Sequence, residues 1–187
     1  MEIDEKNIVI NCQNGKIDDF SILYCKYVKK IYKFIYYKVQ HRETAEDLTS
    51  LTFMKALDKI NSFSNARSTF STWIYTIARN NVIDFYRTNK NNLDINDIWD
   101  LEDHTDIERD ADAKSKLVKV EKYLKELKAE QREIIMLRVW EDMSYREIAE
   151  ITGKSEGNCK VIFFRALKEL KTKMPLELLL YFLFLKI

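Results

Sequence analysis

Apolar residues recur every three to four positions along most of the chain, which is the spacing of helices that bury one face. In the first such run, lysines lie between the apolar positions Phe20, Leu23, Tyr24, Tyr27, Ile31, Phe34 and Ile35. Two further runs, over about 44–61 and 70–85, have the same spacing. The Ser- and Asn-rich stretch 62–68 between them has the composition of a loop. This pattern predicts three or four packed helices in the first half of the chain.

Local signals predict where several helices begin and end. Asn14-Gly15 has the pattern of a helix stop or turn. The run from Thr44 to Asp47 has the pattern of a capping box, which predicts Thr44 as the N-cap of the next helix. A second capping box runs from Ser144 to Glu147. Beyond it, Gly153 predicts a turn and Ser155 predicts the start of a long helix.

The second half of the chain is also helical in pattern. Its first two helices carry Leu117, Val120, Leu124, Leu127, Ile134, Leu137 and Trp140. Pro175 then precedes the apolar tail Leu178–Leu185, which is far shorter than the roughly 20 residues that span a bilayer. We expect this tail to pack on the last helix or to contact a partner. An interfacial membrane helix is the less favoured alternative, because such helices carry basic residues on the polar face and only Lys186 is present here.

The composition supports a helical fold. The 187 residues include only 3 Gly and 1 Pro, whereas β-sandwiches and barrels need turn residues at short intervals. A Gly-rich phosphate loop is absent from the sequence, which disfavours doubly wound α/β folds. The prediction is therefore an all-α protein with short connections.

The net charge of +1 conceals a pattern along the chain. Residues 1–87 hold 13 basic and 10 acidic side chains (net +3), and 114–187 hold 16 and 11 (net +5). Residues 88–113 hold 2 basic and 9 acidic side chains, a net charge of −7. This pattern and the helical runs predict two small helical domains joined by an acidic linker. We expect the domains at 1–90 and 114–174, the linker at 91–113 and the tail at 175–187.

Few residues suit catalysis or metal binding. The three cysteines form no Cys-x-x-Cys pair, and the two histidines lie far apart in sequence, which argues against a metal site, a disulfide framework or a cofactor. Unpaired cysteines and a polar, acidic start without a signal peptide predict a cytoplasmic protein. Acid–base pairs and nucleophile motifs are not recognisable, so we expect a protein that is not an enzyme and has no small-molecule substrate.

Residues 144–170 have the spacing of a helix-turn-helix, in which Ala149 lies where the two helices approach closely. The second helix has an apolar face made of Cys159, Phe163, Ala166 and Leu170. Its other face could enter a major groove and presents Glu156, Asn158, Lys160, Val161, Phe164 and Arg165. An ordinary helical hairpin with a solvated charged face is the alternative.

Longer motifs occur in both halves. The first half contains Phe20-x-x-Leu23-Tyr24-x-x-Tyr27, Ala45-Glu46-Asp47-Leu48, Phe53-x-Lys55-Ala56 and, from Phe70 to Asn80, FSTWIYxIARN. The second half contains Leu124-x-x-Leu127, Arg132-Glu133-Ile134, Leu137-Arg138 and Ser155-Glu156-Gly157-Asn158-x-Lys160. These motifs resemble regions 2 and 4 of the sigma-70 family of bacterial RNA polymerase sigma factors, extracytoplasmic-function group. The resemblance covers about residues 8–90 and 112–174.

The resemblance implies roles for named residues. The helix at 45–57 would bind core RNA polymerase through Asp47, Leu48, Ser50, Leu51 and Lys55. The loop and helix after it would read the minus-ten promoter element through Phe63, Arg67, Phe70, Trp73, Arg79, Asn80 and Arg87. There aromatic rings can stack on bases, Asn80 can bond a base edge, and arginines can hold phosphates. The outer face of the helix-turn-helix would read the minus-thirty-five element. The resemblance implies that the acidic linker threads the polymerase, and the alternative from the residues alone is a solvated linker kept soluble by its like charges.

Several positions leave alternatives open. Ser50 and Leu51 stand where the family usually has Gln and Glu, and Leu51 could instead face the core. Phe70 and Trp73 are equally compatible with packing, whereas polar Asn80 and Asn81 have no evident packing reason. Ile162 replaces a common basic or polar residue, so it either faces solvent or packs on a slightly rotated helix.

The resemblance implies a sigma factor whose partners are core RNA polymerase, promoter DNA and, in many relatives, an anti-sigma factor. The alternatives are a stand-alone helix-turn-helix regulator that needs no polymerase, and an interaction protein whose basic blocks bind an acidic partner.

Overall fold

The computed structural model describes residues 4–88 and 111–184, with side chains from 116 onward in the second range. Over these residues the chain is helical and has no β-strand, which confirms the all-α prediction. It divides into two compact units, 1–100 and 101–187. The predicted linker lies outside the described residues except for its last three positions, 111–113, which belong to a helix.

The described residues of the first unit, 4–88, form four α-helices and two short 3-10 helices. The α-helices are α1 (Glu5–Gln13), α2 (Phe20–Val39), α3 (Arg42–Asp58) and α4 (Phe70–Thr88). The 3-10 helices are Ile17–Asp19, before α2, and Ile60–Ser62, after α3. Residues 63–69 then form a loop, one residue later than the predicted 62–68. Helix α2 packs against both α3 and α4, so the core of this unit lies among these three helices.

Helix α3 begins at Arg42, three residues before the start that an N-cap at Thr44 predicts. Its N-cap is His41, whose ring nitrogen Nδ1 accepts a hydrogen bond from the backbone N–H of Thr44 at 3.3 Å. Thr44 therefore lies within the first turn, and the prediction that it caps the helix is wrong. The capping pattern at Thr44 is not used, because His41 is extended and its imidazole already supplies the acceptor for the first turn.

The predicted stop after α1 is confirmed. Asn14 is the C-cap of the helix, and Gly15 has a φ of +94°, a left-handed conformation that glycine adopts without steric cost. Glycine at this position also provides the αL residue with which many helices end.

The core of the first unit is aliphatic and aromatic. Leu23, Ile31 and Ile35 on α2 have no exposed surface, and Tyr75 on α4 is equally buried. The ring of Tyr75 lies edge-on to Phe34, with 5.1 Å between centroids. Fully burying one such aliphatic side chain contributes about 1.5–3 kcal/mol. These contacts fix α4 against α2 and so decide which face of α4 reaches solvent.

In the second unit, the described residues 111–184 form five α-helices. They are α5 (Ala111–Glu126), α6 (Ala129–Val139), α7 (Tyr145–Thr152), α8 (Glu156–Lys173) and α9 (Leu176–Phe184). Helix α8 packs against α6 and α7, and α9 packs against α5 and α8. The fully buried side chains of this unit include Val120, Leu124, Ile134, Leu137, Ile148 and Leu170.

The apolar tail as far as Phe184 lies in helix α9, which packs on its own unit. Leu179 and Phe182 are buried, and the Phe182 ring lies edge-on to Trp140 with centroids 6.0 Å apart. The opposite face of α9 leaves Leu176, Leu180, Leu183 and Phe184 exposed. No helix in the described part of the chain combines the length and apolarity needed to cross a membrane.

Candidate nucleic-acid interface

The outer face of α3 contains most of the predicted polymerase contacts. Asp47, Ser50 and Leu51 are exposed, and Met54 beside them is 64% exposed. Leu51 therefore does not face the core, and that alternative is wrong. Leu48 is buried and belongs to the core instead. The accessible face thus combines a carboxylate, a hydroxyl and two apolar side chains.

Lys55, the remaining predicted polymerase contact, is held by the neighbouring helix. Its ammonium nitrogen Nζ donates to Oδ1 of Asn81 on α4 at 2.6 Å. Asn81 in turn donates from Nδ2 to Oγ1 of Thr52 at 2.9 Å, and that hydroxyl donates to the Leu48 carbonyl at 2.6 Å. Asn81 is only 2% exposed. The interpretation that it has no packing reason is wrong, because its amide joins α3 to α4.

Aromatic rings surround the loop 63–69. The ring centroid of Phe63 lies 6.0 Å from that of Phe70 and 4.9 Å from that of Trp73, and Phe70 also packs on Tyr27 at 5.5 Å. Phe63 and Phe70 are buried, whereas Trp73 is partly exposed. In this conformation neither buried phenylalanine offers a ring face to a base. The prediction that they stack on bases is replaced by a packing role, and Trp73 is the accessible ring of the cluster.

Polar candidates for the minus-ten element lie at the surface of the first unit. Arg67 in the loop and Asn80 on α4 are exposed. Arg87 is also exposed and forms an ion pair with Asp84 at 3.1 Å, while Arg79 is half-buried. An exposed ion pair of this kind contributes little to stability and can be exchanged for a phosphate contact. Asn80 and Asn81 thus differ completely in environment although they are adjacent in sequence.

The helix-turn-helix forms as its local signals predict. Ser144 and Glu147 make a capping box at the start of α7, and the Ser155 hydroxyl accepts a hydrogen bond from the N–H of Asn158 at 3.2 Å. Gly153 ends α7 with a φ of +70°. The turn needs glycine at that point because other side chains strain in the left-handed region.

Helix α8 divides into two faces. Cys159, Ile162 and Ala166 are buried against the rest of the unit, whereas Phe163 is only half-buried. Ile162 therefore packs, which decides between the two alternatives for that position. The residues predicted to read the minus-thirty-five element are all exposed, namely Glu156, Asn158, Lys160, Val161, Phe164 and Arg165. The outer face thus offers donors, acceptors and two apolar side chains of the kinds that contact base edges.

Tyr145 organises the cations beside this face. The Lys160 ammonium lies 5.6 Å from the Tyr145 ring centroid, and the Arg138 guanidinium carbon lies 5.4 Å from it. The ring also packs edge-on to Phe163 at 5.9 Å. Arg138 donates in addition to the Met143 carbonyl at 2.8 Å. Sequence reasoning assigned no role to Tyr145, although its place at the first position of α7 directs it toward α8.

Known proteins resemble both units. The family model described as Sigma-70 region 2 matches residues 23–92, and the one described as Sigma-70, region 4 matches residues 117–170. The ECF RNA polymerase sigma factor BldN of Streptomyces coelicolor is 33% identical over 175 residues, which is 90% of this chain and 65% of that protein. RNA polymerase sigma factor YlaC of Bacillus subtilis is 35% identical over 162 residues, which is 84% of this chain and 92% of that protein.

Solved structures have the same fold. The sigma factor RpoE of Bartonella quintana, crystallised with the anti-sigma factor NepR, has a TM-score of 0.69 at 29% identity, covering 82% of this chain and 95% of that one. CnrH, in complex with the cytosolic domain of CnrY, has a TM-score of 0.66 at 21% identity, covering 89% and 94%, a likeness of fold alone. By sequence and structure together, the chain belongs to the sigma-70 family of RNA polymerase sigma factors, in its extracytoplasmic-function group.

Proposed function

We propose that this protein binds core RNA polymerase and directs it to promoters, which it recognises through two DNA elements, the minus-ten and the minus-thirty-five element. The observation that supports this most directly is the division of α8. Its six candidate reading residues all face solvent, while Cys159 and Ala166 anchor the opposite face. A helix with this arrangement can enter the major groove without disturbing the core behind it.

The second unit reads the minus-thirty-five element in this proposal. Lys160 and Arg165 contact phosphates or guanine edges, and Asn158 and Glu156 form hydrogen bonds with base edges. The exposed apolar side chains Val161 and Phe164 contact thymine methyl groups. The ring of Tyr145 keeps Lys160 beside the groove-facing surface. Phosphate contacts fix the register, and base contacts supply the specificity.

The first unit binds polymerase and opens the minus-ten element. The exposed face of α3 is the polymerase contact, with Asp47 and Ser50 beside the apolar Leu51. Asn80 and Arg67 contact the separated strand, for which Trp73 is the accessible ring. Phe63 and Phe70 act by holding the loop. The protein performs no covalent chemistry and works in the cytoplasm, where polymerase and DNA are present.

The remaining parts of the chain follow from the same proposal. The acidic linker 91–113 carries negative charge into a positively lined channel of the polymerase. An anti-sigma factor is a further expected partner, since the RpoE structure is a complex with one.

A reconstituted transcription assay tests this proposal. The full chain is mixed with core polymerase and promoter DNA, and run-off transcript is measured beside binding of the chain to core. Promoter-dependent run-off is expected, with little binding of the free chain to duplex. Strong duplex binding without polymerase would favour a stand-alone regulator, and no binding to core would refute the proposal.

Matched lysine variants test the reading face. Lys160→Ala should weaken promoter binding by the holoenzyme. The slope of log K against log salt, which is negative, should become smaller in magnitude by about 1. Lys122→Ala is the control, because Lys122 is an exposed lysine on α5 of the same unit and outside the proposed face. Equal slopes for both variants would remove Lys160 from the interface.

Asn80→Ala tests the minus-ten contact. Because Asn80 is exposed, the variant should keep its fold and its binding to core, while permanganate reactivity of melted thymines falls. Loss of core binding together with opening would mean that Asn80 is structural.

A further inference from the structure

Gln13 joins helix α1 to the start of the loop 63–69. Its side-chain nitrogen Nε2 donates one hydrogen bond to the Ile60 carbonyl and one to the Phe63 carbonyl, both at 2.9 Å. These partners lie 47 and 50 residues further along the chain. Because both are acceptors, only the amide nitrogen can face them, which fixes the orientation of the amide. One side chain therefore bonds two backbone carbonyls at the point where the loop begins, and the Ile60 carbonyl also accepts from the Phe63 N–H at 3.1 Å.

The two carbonyls lie at a structural junction. Ile60 begins the 3-10 helix after α3, and Phe63 follows its last residue in an extended conformation. Phe63 then enters the aromatic cluster, with its ring centroid 4.9 Å from that of Trp73. Fixing the backbone at both ends of the 3-10 helix therefore fixes the point from which the loop departs.

Helix α1 is itself firmly attached to the unit. Val9 and Cys12 are buried on its inner face. At its other end, Glu5 accepts a hydrogen bond from the Tyr27 hydroxyl at 2.7 Å and pairs with Lys26. The family model for region 2 begins at residue 23, after this helix. Gln13 is thus the residue through which this attached helix, which lies before the matched residues, contacts the loop.

We propose that Gln13 is a positioning residue for the loop 63–69, and that α1 serves as the support that holds this loop ready for the minus-ten strand. The identity of what the loop binds rests on the proposed function. A loop that is ordered before binding loses less conformational entropy when the strand arrives. Arg67, exposed in the loop, then reaches the strand from a defined place.

Hydrogen exchange of the full chain tests the contact without polymerase or DNA. The Gln13→Met variant keeps a side chain of similar length but lacks the amide nitrogen that donates both hydrogen bonds. We expect the amides of residues 60–69 to exchange roughly tenfold faster, which corresponds to about 1.4 kcal/mol of local opening. The amides of α2 and α4 should change by less than about twofold.

Two further variants distinguish the Gln13 hydrogen bonds to Ile60 and Phe63 from the general attachment of α1. Glu5→Met removes the side-chain anchor at the other end of α1 and should leave exchange of residues 60–69 within about twofold of native. Gln13→Glu turns a carboxylate toward two carbonyl oxygens and should increase exchange at least as much as Gln13→Met. Unchanged exchange in Gln13→Met, or equal increases throughout the first unit, would overturn the proposal.

Promoter opening by the holoenzyme supplies the functional test. Gln13→Met should lower permanganate reactivity at the minus-ten element by about the same tenfold while affinity for core stays within twofold. Full opening despite a loosened loop would refute the positioning role. If the native chain gives no promoter-dependent transcript, the proposed function fails, whereas the exchange result still decides whether Gln13 holds the loop.

Discussion

Replacing Asn81 with leucine should destabilise the first unit, whereas the same change at the adjacent Asn80 should not. Asn81 is 2% exposed and joins Lys55 to Thr52, while Asn80 is exposed. The two variants share the same chemical change and the same helix. They therefore form a matched pair in which only the tertiary environment differs.

The size of the effect follows from the two hydrogen bonds. The bond from the Lys55 ammonium involves a charged donor, and such bonds contribute about 1.5–3 kcal/mol. Loss of the bond to Thr52 removes a further donor, but leucine regains some apolar burial and Lys55 is near enough to solvent to find water. The net loss expected is about 2–3 kcal/mol for Asn81→Leu, against less than about 0.5 kcal/mol for Asn80→Leu.

Hydrogen exchange with mass spectrometry measures the difference within the intact chain. Peptides from α3 and α4 should exchange roughly 30- to 150-fold faster in Asn81→Leu, because every 1.4 kcal/mol is a factor of ten. Peptides from α6 and α8 belong to the other unit and serve as an internal reference. Equal effects of the two variants, or no acceleration in Asn81→Leu, would refute the assignment of Asn81 as the link between α3 and α4.

Three further outcomes test the packing and the surface. Phe182→Ala should destabilise the second unit by about 3–5 kcal/mol, seen as faster exchange of α5 and α8, because the ring is fully buried against Trp140; unchanged exchange would contradict the packing of α9. Cys25 is exposed and should react first with a thiol reagent, whereas burial, reinforced by the charge of Asp19, raises the pKa of the Cys12 thiol and slows its reaction; a fast phase that survives Cys25→Ser would contradict this. Phe164→Ala should weaken promoter binding by the holoenzyme while the unfolding free energy changes by less than about 0.5 kcal/mol, since the ring is 61% exposed.

Sequence signals succeeded where the physical cause is local. The capping box at Ser144, the left-handed turn at Gly153 and the cap at Ser155 each involve residues within four positions of one another, and all three are present. The prediction that Thr44 caps α3 was wrong because the cap is His41, and histidine is outside the usual set of capping residues.

The faces of α8 were largely predictable for a similar reason. Periodicity identified Cys159 and Ala166 as buried and the candidate reading residues as exposed. It could not decide Ile162, because that position lies at the boundary of the two faces, and packing against the rest of the unit settled it as buried.

The sequence by itself determined the helical class, the helix-turn-helix and the candidate reading face, since helical periodicity and capping act over a few residues. Only the tertiary structure decided that Phe63 and Phe70 pack, that Lys55 is held by Asn81 and that Gln13 reaches the loop. Lys55 and Asn81 are 26 residues apart, and Gln13 and Phe63 are 50 residues apart. The Phe70 ring packs on Tyr27, which lies on another helix. Such groups meet because of the angles and positions at which helices cross, and the spacing of residues along one helix does not predict these.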